Sequence, residues 1–316
     1  MKIRSSAPGK LILFGEHASS RNKPSIIFAI NRRLHVILKT NDRKDKSILI
    51  TSETMGIKDE KYPSEKLDLV SEAIKVFLIE TKNKEEVFDL TITSDIPAGF
   101  GSSAAVIVSV LGALDEFYHT KLSREEFLDL GLKINYSVKG YGSGLDIASA
   151  VYGGLIFYQK DQFVEELPFE HMDFVVGNTG VKAPSGPIVE SVLEFEKSKP
   201  SKAKVIFSCI QNIVEQAKEA ILNHEGEVLG ELMDCNQKFL KDLGVSSKIL
   251  EELITAAKDA GAFGAKLSGA GKGDNMIALI SSHKRVQIDE AINKTKGTVV
   301  ENLVIEPTGL ATSFEE

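Results

Sequence analysis

The sequence predicts an α+β protein of two domains, and three features of its 316 residues support this prediction. Runs of β-branched and aliphatic residues are concentrated in the first third of the chain, which is typical of a sheet. From about residue 187 onward, apolar residues recur at helical spacing in long segments. Two further strand-like runs flank a short helix near the end of the chain.

The predicted strands of the first third are short and rich in aliphatic and β-branched residues. They are Lys10–Leu13, Ile26–Ile30, Leu34–Lys39, Ile48–Thr51 and Phe88–Thr93. The charged stretch NDRKDK, residues 41–46, lies between the third and fourth of these runs, and we expect it to form the solvated tip of a hairpin.

Helical spacing is found first in residues 65–81, Ser103–Phe117 and residues 123–138. In the last of these, Ser123 is a predicted N-cap followed by acidic residues. Longer amphipathic helices follow in IVESVLEFEKS, AKVIFSCIQNIVEQAKEAILN, GEVLGELMDCNQKFLKDLG and SKILEELITAAKDAG. The two terminal strands are predicted in NMIALIS and TVVENLVI.

The boundary between the two domains is predicted near Lys160–Pro168. The strand-like GGLIFYQ ends there, and the KDQFVEELP that follows it shows no periodicity. The domains then cover residues 1–165 and 166–316. Each is close to the roughly 150 residues of a typical domain.

Composition and charge exclude several classes of protein. The net charge of −7 argues against a dedicated nucleic-acid binder, although an acidic protein can keep a small basic pocket for an anionic ligand. The N-terminus has no apolar signal region, and no run reaches the roughly 18 apolar residues that a membrane span needs. Cys209 and Cys235 show neither zinc-site nor disulfide spacing. We therefore expect a cytoplasmic protein with neither nucleic acid nor membrane as partner.

The segment SDIPAGFGSSAAVIVSV, residues 94–110, joins a glycine-spaced loop to an apolar helix. Gly99 and Gly101 let the backbone approach a ligand without a Cβ in the way, and the helix is expected to begin near Ser102–Ser103. Free N–H groups and the positive end of the helix dipole then point at the ligand, which predicts a phosphate site. The two hydroxyls could cap the helix or reach a phosphate-bound magnesium. Taken alone, such a loop is also compatible with a structural turn.

Three other segments carry candidate functional residues. In KLSGAGKGDNMIAL, the GAGKG run lacks the Walker spacing, because Lys266 stands where that motif has glycine. APGKLILFGEHA supplies Lys10 and, at a glycine-marked strand end, Glu16 and His17. GYGSGLDIASAVYGG puts Asp146 in the first turn of a predicted helix. In isolation each residue also has an ordinary structural explanation as a solvated lysine, a satisfied histidine or an N-terminal helix acid.

Taken together and in this order, the motifs PGK…FGEH, P-x-G-x-GSSAA, GSGLD…A…YGG and KLSGAG…MIAL resemble those of the GHMP small-molecule kinase superfamily. The resemblance covers nearly the whole chain. It implies an N-terminal domain like ribosomal protein S5 domain 2 and a ferredoxin-like C-terminal domain. Within the superfamily, GKLILFGEHA, AFGAKLSGAG and LMDCNQKFLKDLGVSS are most similar to motifs of the mevalonate kinase group of archaeal type. This implies phosphorylation of mevalonate in isoprenoid biosynthesis, with ATP and Mg²⁺.

The resemblance also implies residue roles. Asp146 would take or orient the proton of the attacking hydroxyl, and Lys10 would keep Asp146 ionised. The implied nucleotide-binding set is Pro97, Gly99, Gly101, Ser102, Ser103 and Ala104, and the implied metal ligands are Ser102 and Asn135. The predicted substrate-binding set is Glu16, His17, Ser143, Gly269, Ala270 and Gly271, to which Arg21, Lys23, Lys182 and Lys272 are added as possible charge partners of an anionic acceptor. Such a set suffices physically, since phosphoryl transfer needs mainly positioning and charge neutralisation.

The sequence departs from the mevalonate kinase pattern at several positions. Residues 19–23, SSRNK, follow GEHA where those kinases usually have an apolar V-V-Y-G. Asn135 stands eleven residues before Asp146, where they have a magnesium-binding Glu. The loop at residues 97–101 is two residues shorter than their P-x-G-x-G-L-G-S-S. In the loop after KLS, Lys272 stands where Gly is common. GSGLD is nearer to the version of that motif in phosphomevalonate kinases.

Three hypotheses for the function follow. The first is ATP-dependent phosphorylation of the 5-hydroxyl of mevalonate by a monomer or a homodimer. The second is a kinase of an already phosphorylated mevalonate, either a mevalonate 3-phosphate 5-kinase or a phosphomevalonate kinase. Its candidate charge partners, each of which could instead be an ordinary solvated cation, are Arg21, Lys23, Lys139, Lys182 and Lys272. The third is a non-catalytic nucleotide- or metabolite-binding homologue, which the retention of Lys10 and Asp146 disfavours.

Overall fold

The computed structural model describes every residue except His171 and Glu316, and it divides the chain into two compact units. Unit 1 contains Met1–Lys10, Ala29–Gly154 and the chain from Glu306 onward, and unit 2 contains Leu11–Phe28 and Leu155–Ile305. The predicted boundary at residue 165 differs from this division. The first two strands each contribute residues to both units, and the C-terminal strand belongs to unit 1.

The described residues form twelve strands and nine α-helices. The strands are β1 (Lys2–Phe14), β2 (Ser25–Thr40), β3 (Leu49–Ser52), β4 (Ile57–Lys61), β5 (Phe88–Ser94), β6 (Leu155–Gln159), β7 (Phe163–Leu167), β8 (Asp173–Asn178), β9 (Gly264–Ser268), β10 (Asn275–Ile280), β11 (Thr298–Val299) and β12 (Ala311–Glu315). The helices are α1 (Asp68–Thr81), α2 (Ser102–Tyr118), α3 (Arg124–Lys139), α4 (Leu145–Tyr152), α5 (Ser185–Ser198), α6 (Pro200–Leu222), α7 (Gly226–Asp242), α8 (Lys248–Asp259) and α9 (Arg285–Asn293). The predicted α+β class is confirmed.

Several element bounds differ from the prediction. The two predicted strands around residues 26–39 form the single long strand β2, and within TVVENLVI only Thr298–Val299 forms a strand, with a single bridge residue at Ile305. The strands β4, β7, β8, β9 and β12 were not predicted. In β7 most side chains are exposed, so its sequence carries no alternation of apolar and polar residues. None of the described helices combines the length and the apolar character needed to cross a bilayer.

The sheet of unit 1 has the strand order β12-β1-β2-β5-β3-β4. β5 pairs antiparallel with β2 and parallel with β3, so it lies between them and the predicted hairpin at residues 41–46 is wrong. The cross-strand pairs Val36–Ile92 and Leu38–Leu90 are buried, and such pairs are the unit of sheet stabilisation. Strand-forming sequences are locally recognisable, whereas the choice of partner depends on contacts far apart in the chain.

The core of unit 1 lies between this sheet and α1–α4. α2 is buried along nearly its whole length because the run from Ala104 to Leu114 is apolar on nearly every face. Each fully buried aliphatic side chain contributes about 1.5–3 kcal/mol, so α2 and the loop before it are firmly held. The predicted N-cap of α3 is confirmed, since Ser123 Oγ accepts from the Glu126 N–H and the Glu126 carboxylate accepts from the Ser123 N–H.

In unit 2, β6 pairs with β7 and with the first residues of β2, Ser25–Phe28. A second, fully antiparallel sheet has the order β11-β8-β10-β9, and α5–α9 belong to the same unit. β9 is an edge strand of this sheet, and α7 satisfies its backbone. Asp234 accepts a hydrogen bond from the Ala265 N–H at 3.1 Å, and Gln237 accepts one from the Leu267 N–H at 3.0 Å.

Candidate functional site

The glycine loop of residues 97–101 leads directly into α2. Gly101 is the N-cap of this helix with a φ of 83°, and Gly99 has a φ of 88°, both in the left-handed region that favours glycine. Phe100 between them is fully buried, and its carbonyl accepts a hydrogen bond from the Lys10 N–H at 2.8 Å. The loop is therefore anchored by a buried ring and by the backbone of β1.

The start of α2 offers unpaired hydrogen-bond donors. Among the described residues, no acceptor is found for the N–H groups of Gly101, Ser102 and Ser103, whereas the Ala104 N–H bonds to the Gly101 carbonyl at 3.1 Å. Ser102 is exposed, Ser103 is half-buried, and neither hydroxyl caps the helix. Three free N–H groups at the positive end of a 17-residue helix form an anion site.

Lys10 and Asp146 form an ion pair in the same unit. Lys10 Nζ lies 3.1 Å from Asp146 Oδ1, and the two side chains are 9% and 45% exposed. Gly101 makes room for this lysine, since a Cβ there would lie 3.0 Å from both Cγ and Cε of Lys10. Asp146 lies in the first turn of α4, after the N-cap Gly144. An accessible carboxylate oriented by a covered ammonium group is placed to accept a proton from a ligand.

Asn135 supports the loop that precedes α4. Its Nδ2 donates a hydrogen bond to the Tyr141 carbonyl at 3.2 Å, and a Cβ on Gly142 would collide with the same amide nitrogen. Ser143, predicted to bind substrate, is half-buried in this loop. The amide of Asn135 thus holds the chain that leads to Asp146 and contributes no carboxylate to a metal ion.

The residues of unit 1 fit a magnesium ion that arrives with a nucleotide. The described residues contain no group of three His, Cys, Asp or Glu side chains that could hold a metal ion by themselves. Mg²⁺ is usually bound through one or two carboxylates together with substrate phosphates. The exposed Ser102 hydroxyl and the half-exposed Asp146 carboxylate are suitable oxygen donors for such an ion.

A cavity of about 250 Å³ lies beside the start of α2 in unit 1. Ser102, Ser103 and Val106 form one of its walls, and apolar side chains from β2, β5 and α1 form others. Thr54, Lys66, Asp68 and Ser94 add polar groups to the lining. An apolar cavity with a few polar groups, next to an anion site, suits a planar base attached to phosphates.

In unit 2, Glu16 is buried and paired with Lys266. The two side chains are 1% and 0% exposed, and the ammonium group of Lys266 also donates to the Leu267 carbonyl at 2.6 Å. Burial lowers the pKa of Lys266, an effect that the charge of Glu16 opposes. Glu16 was predicted to bind substrate, but in this geometry its carboxylate contacts a protein cation.

His17 is buried and held in one tautomer. Its Nε2 lies 2.9 Å from the Ala270 carbonyl oxygen, which can only accept, so Nε2 carries the proton and Nδ1 is the acceptor. Burial lowers the pKa of His17 from 6.5 to about 4, the hydrogen bond to Ala270 opposes this, and the charge of Arg21 adds to it. The imidazole is therefore neutral at pH 7.

Arg21 is engaged by neighbouring residues of unit 2. Its Nη2 and Nε donate to Glu196 Oε2 at 2.8 and 3.2 Å, and its Nη1 donates to the His17 carbonyl at 3.0 Å and to Ser20 Oγ at 2.6 Å. The guanidinium carbon lies 4.6 Å from the ring centroid of Phe207. A phosphate on an acceptor would have to compete with Glu196 for this group.

The loop of residues 269–274, here called the third loop, is held from two sides in unit 2. The Lys272 N–H donates to the Val245 carbonyl at 2.7 Å, and the Asp274 N–H donates to the Val181 carbonyl at 2.8 Å. Lys182 therefore lies on a segment bonded to the third loop. Lys182 and Lys272 are exposed, and within the described part of the chain neither ammonium group has a partner.

Two family models match the chain. The model of the GHMP kinases N terminal domain covers residues 68–154, and that of the GHMP kinases C terminal domain covers residues 217–297. This chain belongs to the GHMP kinase family. The mevalonate kinase of Pyrococcus furiosus is 38% identical to it over 94% of this chain and 95% of the archaeal protein. The resemblance predicted from the four motifs is confirmed.

Solved structures of GHMP kinases share the fold. The mevalonate kinase of L. major, crystallised in complex with R-mevalonate, matches with a TM-score of 0.76 at 25% identity, covering 96% of this chain and 94% of that one. The phosphomevalonate kinase of Streptococcus pneumoniae, in complex with phosphomevalonate and AMPPNP, matches with a TM-score of 0.83 at 21% identity, covering 96% and 99%. The fold alone therefore does not separate the two kinds of acceptor.

Two features of the site have no counterpart in the sequence motifs. The first is the cavity in unit 1, because Thr54, Lys66 and Asp68 lie outside the glycine-rich motifs and reach it only through the fold. The second is the pairing of Glu16 with Lys266, which are 250 positions apart in the chain. A lysine inside the apolar run AKLS was a usable signal for the second, since a lysine is almost never fully buried unless it is paired.

Proposed function

We propose that this GHMP kinase transfers the γ-phosphoryl group of ATP, bound with Mg²⁺, to the 5-hydroxyl of mevalonate. The main support is the ion pair of Lys10 and Asp146, 3.1 Å apart, in the unit whose glycine loop offers the free N–H groups of α2. Together these supply a proton acceptor and a phosphate site. The 38% identity to an archaeal mevalonate kinase over 94% of the chain supports mevalonate as the acceptor.

In this reaction the proton and the charges have defined destinations. The proton of the attacking hydroxyl passes to the carboxylate of Asp146 while its oxygen bonds to the γ-phosphorus, and the bond from that phosphorus to the β–γ bridging oxygen breaks to release ADP. Lys10 orients the Asp146 carboxylate through their ion pair and stabilises charge on the attacking oxygen. The N–H groups of Gly101, Ser102 and Ser103 neutralise phosphate charge. The Ser102 hydroxyl would help to hold a magnesium ion that arrives with the nucleotide, and such an ion would add to that neutralisation.

We assign the nucleoside of ATP to the cavity beside α2. Ser102 and Ser103 belong both to the lining of this cavity and to the anion site, so a base in the cavity and phosphates at the helix start can belong to one molecule. Pro97, Gly99 and Ala104 would then contribute through the backbone of the loop and of the first helical turn.

We assign the carboxylate of the acceptor to Lys182 and Lys272. Both are exposed, and within the described residues neither has a partner, whereas the donors of Arg21 are engaged by Glu196, His17 and Ser20. Nδ1 of His17 is a hydrogen-bond acceptor and suits a substrate hydroxyl. The backbone of Gly269, Ala270 and Gly271 completes the predicted acceptor set.

A phosphorylated mevalonate is the second candidate acceptor, and one observation favours it. With Lys23, whose ammonium group also has no partner among the described residues, unit 2 offers three available cations along its predicted substrate segments. A single carboxylate needs only one or two of them, and a phosphate could use the rest.

The test is phosphoryl transfer from ATP in Mg²⁺ to mevalonate, mevalonate 3-phosphate and mevalonate 5-phosphate in parallel, with products identified by phosphorus NMR. The Asp146→Asn variant serves as the catalytic blank. Turnover of mevalonate supports the proposal. Turnover only of a phosphorylated acceptor replaces it with the second candidate, and nucleotide binding without any turnover would identify a non-catalytic homologue.

A further inference from the structure

A fully buried ion pair lies behind the predicted acceptor segments of unit 2. Lys266 is 0% exposed and Glu16 is 1% exposed, and they pair directly. Removing two charges from water carries a large desolvation penalty, and a hydrophobic pair of similar volume is often as stable or more so. Stability alone therefore gives little reason for an ion pair at this place.

The pair is one of three ties between the same two segments. Ser268 Oγ accepts a hydrogen bond from the Ile12 N–H at 3.0 Å and lies 2.9 Å from the Ile12 carbonyl oxygen, to which it donates. His17 Nε2 donates to the Ala270 carbonyl at 2.9 Å. With Glu16 and Lys266, these contacts join residues 12–17 to residues 266–270.

The hydrogen bond of His17 and the ion pair of Glu16 differ in how much of the structure each one holds in place. The hydrogen bond from His17 fixes only the imidazole and one carbonyl of a loop whose glycines, Gly269 and Gly271, have φ values of 101° and 90°. The backbone bonds to Val245 and Val181 begin only at Lys272, so the glycines leave residues 269–271 little rigidity of their own. The ion pair instead joins a residue next to His17 to a residue of β9, and β9 is held in a sheet and by α7.

We propose that Glu16 and Lys266 are positioning residues that fix His17 and the third loop for the acceptor. They touch neither substrate nor the reacting atoms. The charge of Lys266 draws the turn that carries His17 against β9, and this sets the distance from the imidazole to the Ala270 carbonyl. The identity of the acceptor in this inference rests on the proposed function.

The informative variant replaces both charges at once, as Glu16→Met/Lys266→Met. A single substitution would leave one buried charge unpaired and could unfold unit 2, whereas the double variant is expected to keep a Tm within about 4 °C of the wild type. Its KM for mevalonate should rise about tenfold or more, because displacing a binding group by about 1 Å can cost as much as 100-fold. Its KM for ATP should stay near the wild-type value, since the anion site lies in unit 1.

Two measurements separate positioning from general weakening. Amide hydrogen exchange of Gly269, Ala270 and Gly271 should accelerate in the double variant, and the ¹⁵N shifts of His17 should show loss of the single Nε2–H tautomer. The matched control is Glu165→Gln/Lys218→Met, which removes another ion pair of unit 2, with atoms 2.7 Å apart and one side chain 46% exposed. It should change neither readout nor KM.

An unchanged mevalonate KM with unchanged exchange in the double variant would overturn the proposal. If that variant does not fold, Ser268→Ala removes the neighbouring tie without touching a charge and should shift the same readouts in the same direction, by about threefold in KM. No shift in Ser268→Ala would then be the contradicting result. If wild-type protein does not phosphorylate mevalonate, the proposed function fails, and the exchange and imidazole measurements still decide the positioning role.

Discussion

The two glycine loops of this kinase resemble each other in sequence and differ in what they do with their backbone. In unit 1, the loop at residues 97–101 ends at a helix and leaves three N–H groups unpaired among the described residues. In unit 2, the third loop ends at a strand, and its Lys272 N–H donates to the Val245 carbonyl. The free N–H groups of the first loop lie at the positive end of a helix, whereas no helix dipole reinforces the backbone of the third loop.

This difference follows from the element that each loop enters. The first four N–H groups of a helix have no partner inside the helix, so a loop that enters a helix has donors to offer. The third loop enters a strand, which adds no such dipole, and its Lys272 N–H bonds to Val245 between α7 and α8. Charge in unit 2 is consequently supplied by side chains, in particular by Lys182 and Lys272. We expect glycine substitutions in the first loop to reduce mainly activity and those in the third loop to reduce mainly stability.

The largest expected effect is on the chemistry of unit 1. Asp146→Asn removes the proton acceptor and leaves Lys10 without its 3.1 Å partner, so kcat should fall about 1,000-fold or more. The KM for ATP should change little, because the N–H groups at the start of α2 remain. Steady-state kinetics test this, with Asp129→Asn on the exposed face of α3 as the control. A kcat within tenfold of wild type would exclude Asp146 as the base.

Gly271→Ala should destabilise the third loop more than any other single glycine substitution there. A Cβ at this position would lie 2.1 Å from the Val245 carbonyl oxygen, and the φ of 90° is unfavourable for alanine. We expect the free energy of unfolding to fall by about 3 kcal/mol. Gly269→Ala has a similar φ of 101° with nothing within 4 Å, so it should cost only about 1 kcal/mol. Urea unfolding of both variants measures the difference, and equal losses would contradict it.

Gly101→Ala should reduce activity more than stability. Its Cβ would lie 3.0 Å from two carbons of Lys10, and displacing that side chain moves the ammonium group away from Asp146. We expect kcat/KM to fall about 30-fold, which corresponds to about 2 kcal/mol. Gly140→Ala has a φ of 72° and nothing within 4 Å, so it should lose similar stability and retain activity. Equal activity in the two variants would show that the contact between a Cβ at position 101 and Lys10 does not affect the reaction.

Local sequence predicted the glycine loop and the helix start of unit 1, whereas the proximity of Lys10 to Asp146 was implied only by the resemblance of their motifs to those of GHMP kinases. Lys10 lies in the interior of β1, so no local signal places it beside the start of α4. The pairing of Glu16 with Lys266 depends on how β9 packs, which no local pattern encodes. The order of strands in unit 1 was missed for the same reason, because β5 separates two strands that are neighbours in the chain.

The buried imidazole of His17 should make the stability of the protein depend on pH. Its pKa is about 4 in the folded protein and 6.5 in the unfolded chain, so between these pH values the unfolded chain binds one more proton than the folded protein. Stability from this group is therefore complete above pH 6.5 and is lost as pH falls toward 4. Between pH 7.5 and 5 the loss should be about 2 kcal/mol. His17→Gln keeps a donor for Ala270 and cannot titrate, so its urea-unfolding curves should lack this component, and identical pH slopes would argue against it.

The smallest expected effect concerns Lys272 in the third loop of unit 2. Lys272 has a φ of 64° between two glycines, a conformation that costs a residue with a side chain about 1 kcal/mol. Lys272→Gly should therefore raise the free energy of unfolding by up to about 1 kcal/mol while raising the KM for the acceptor severalfold. The matched control is Lys46→Gly, because Lys46 lies in unit 1 and has a similar positive φ of 53°. Lys46→Gly should give the gain in stability with an unchanged KM. A strained lysine whose removal improves stability and harms only acceptor binding is retained for its charge, whereas an unchanged KM in Lys272→Gly would assign Lys272 to the solvated surface.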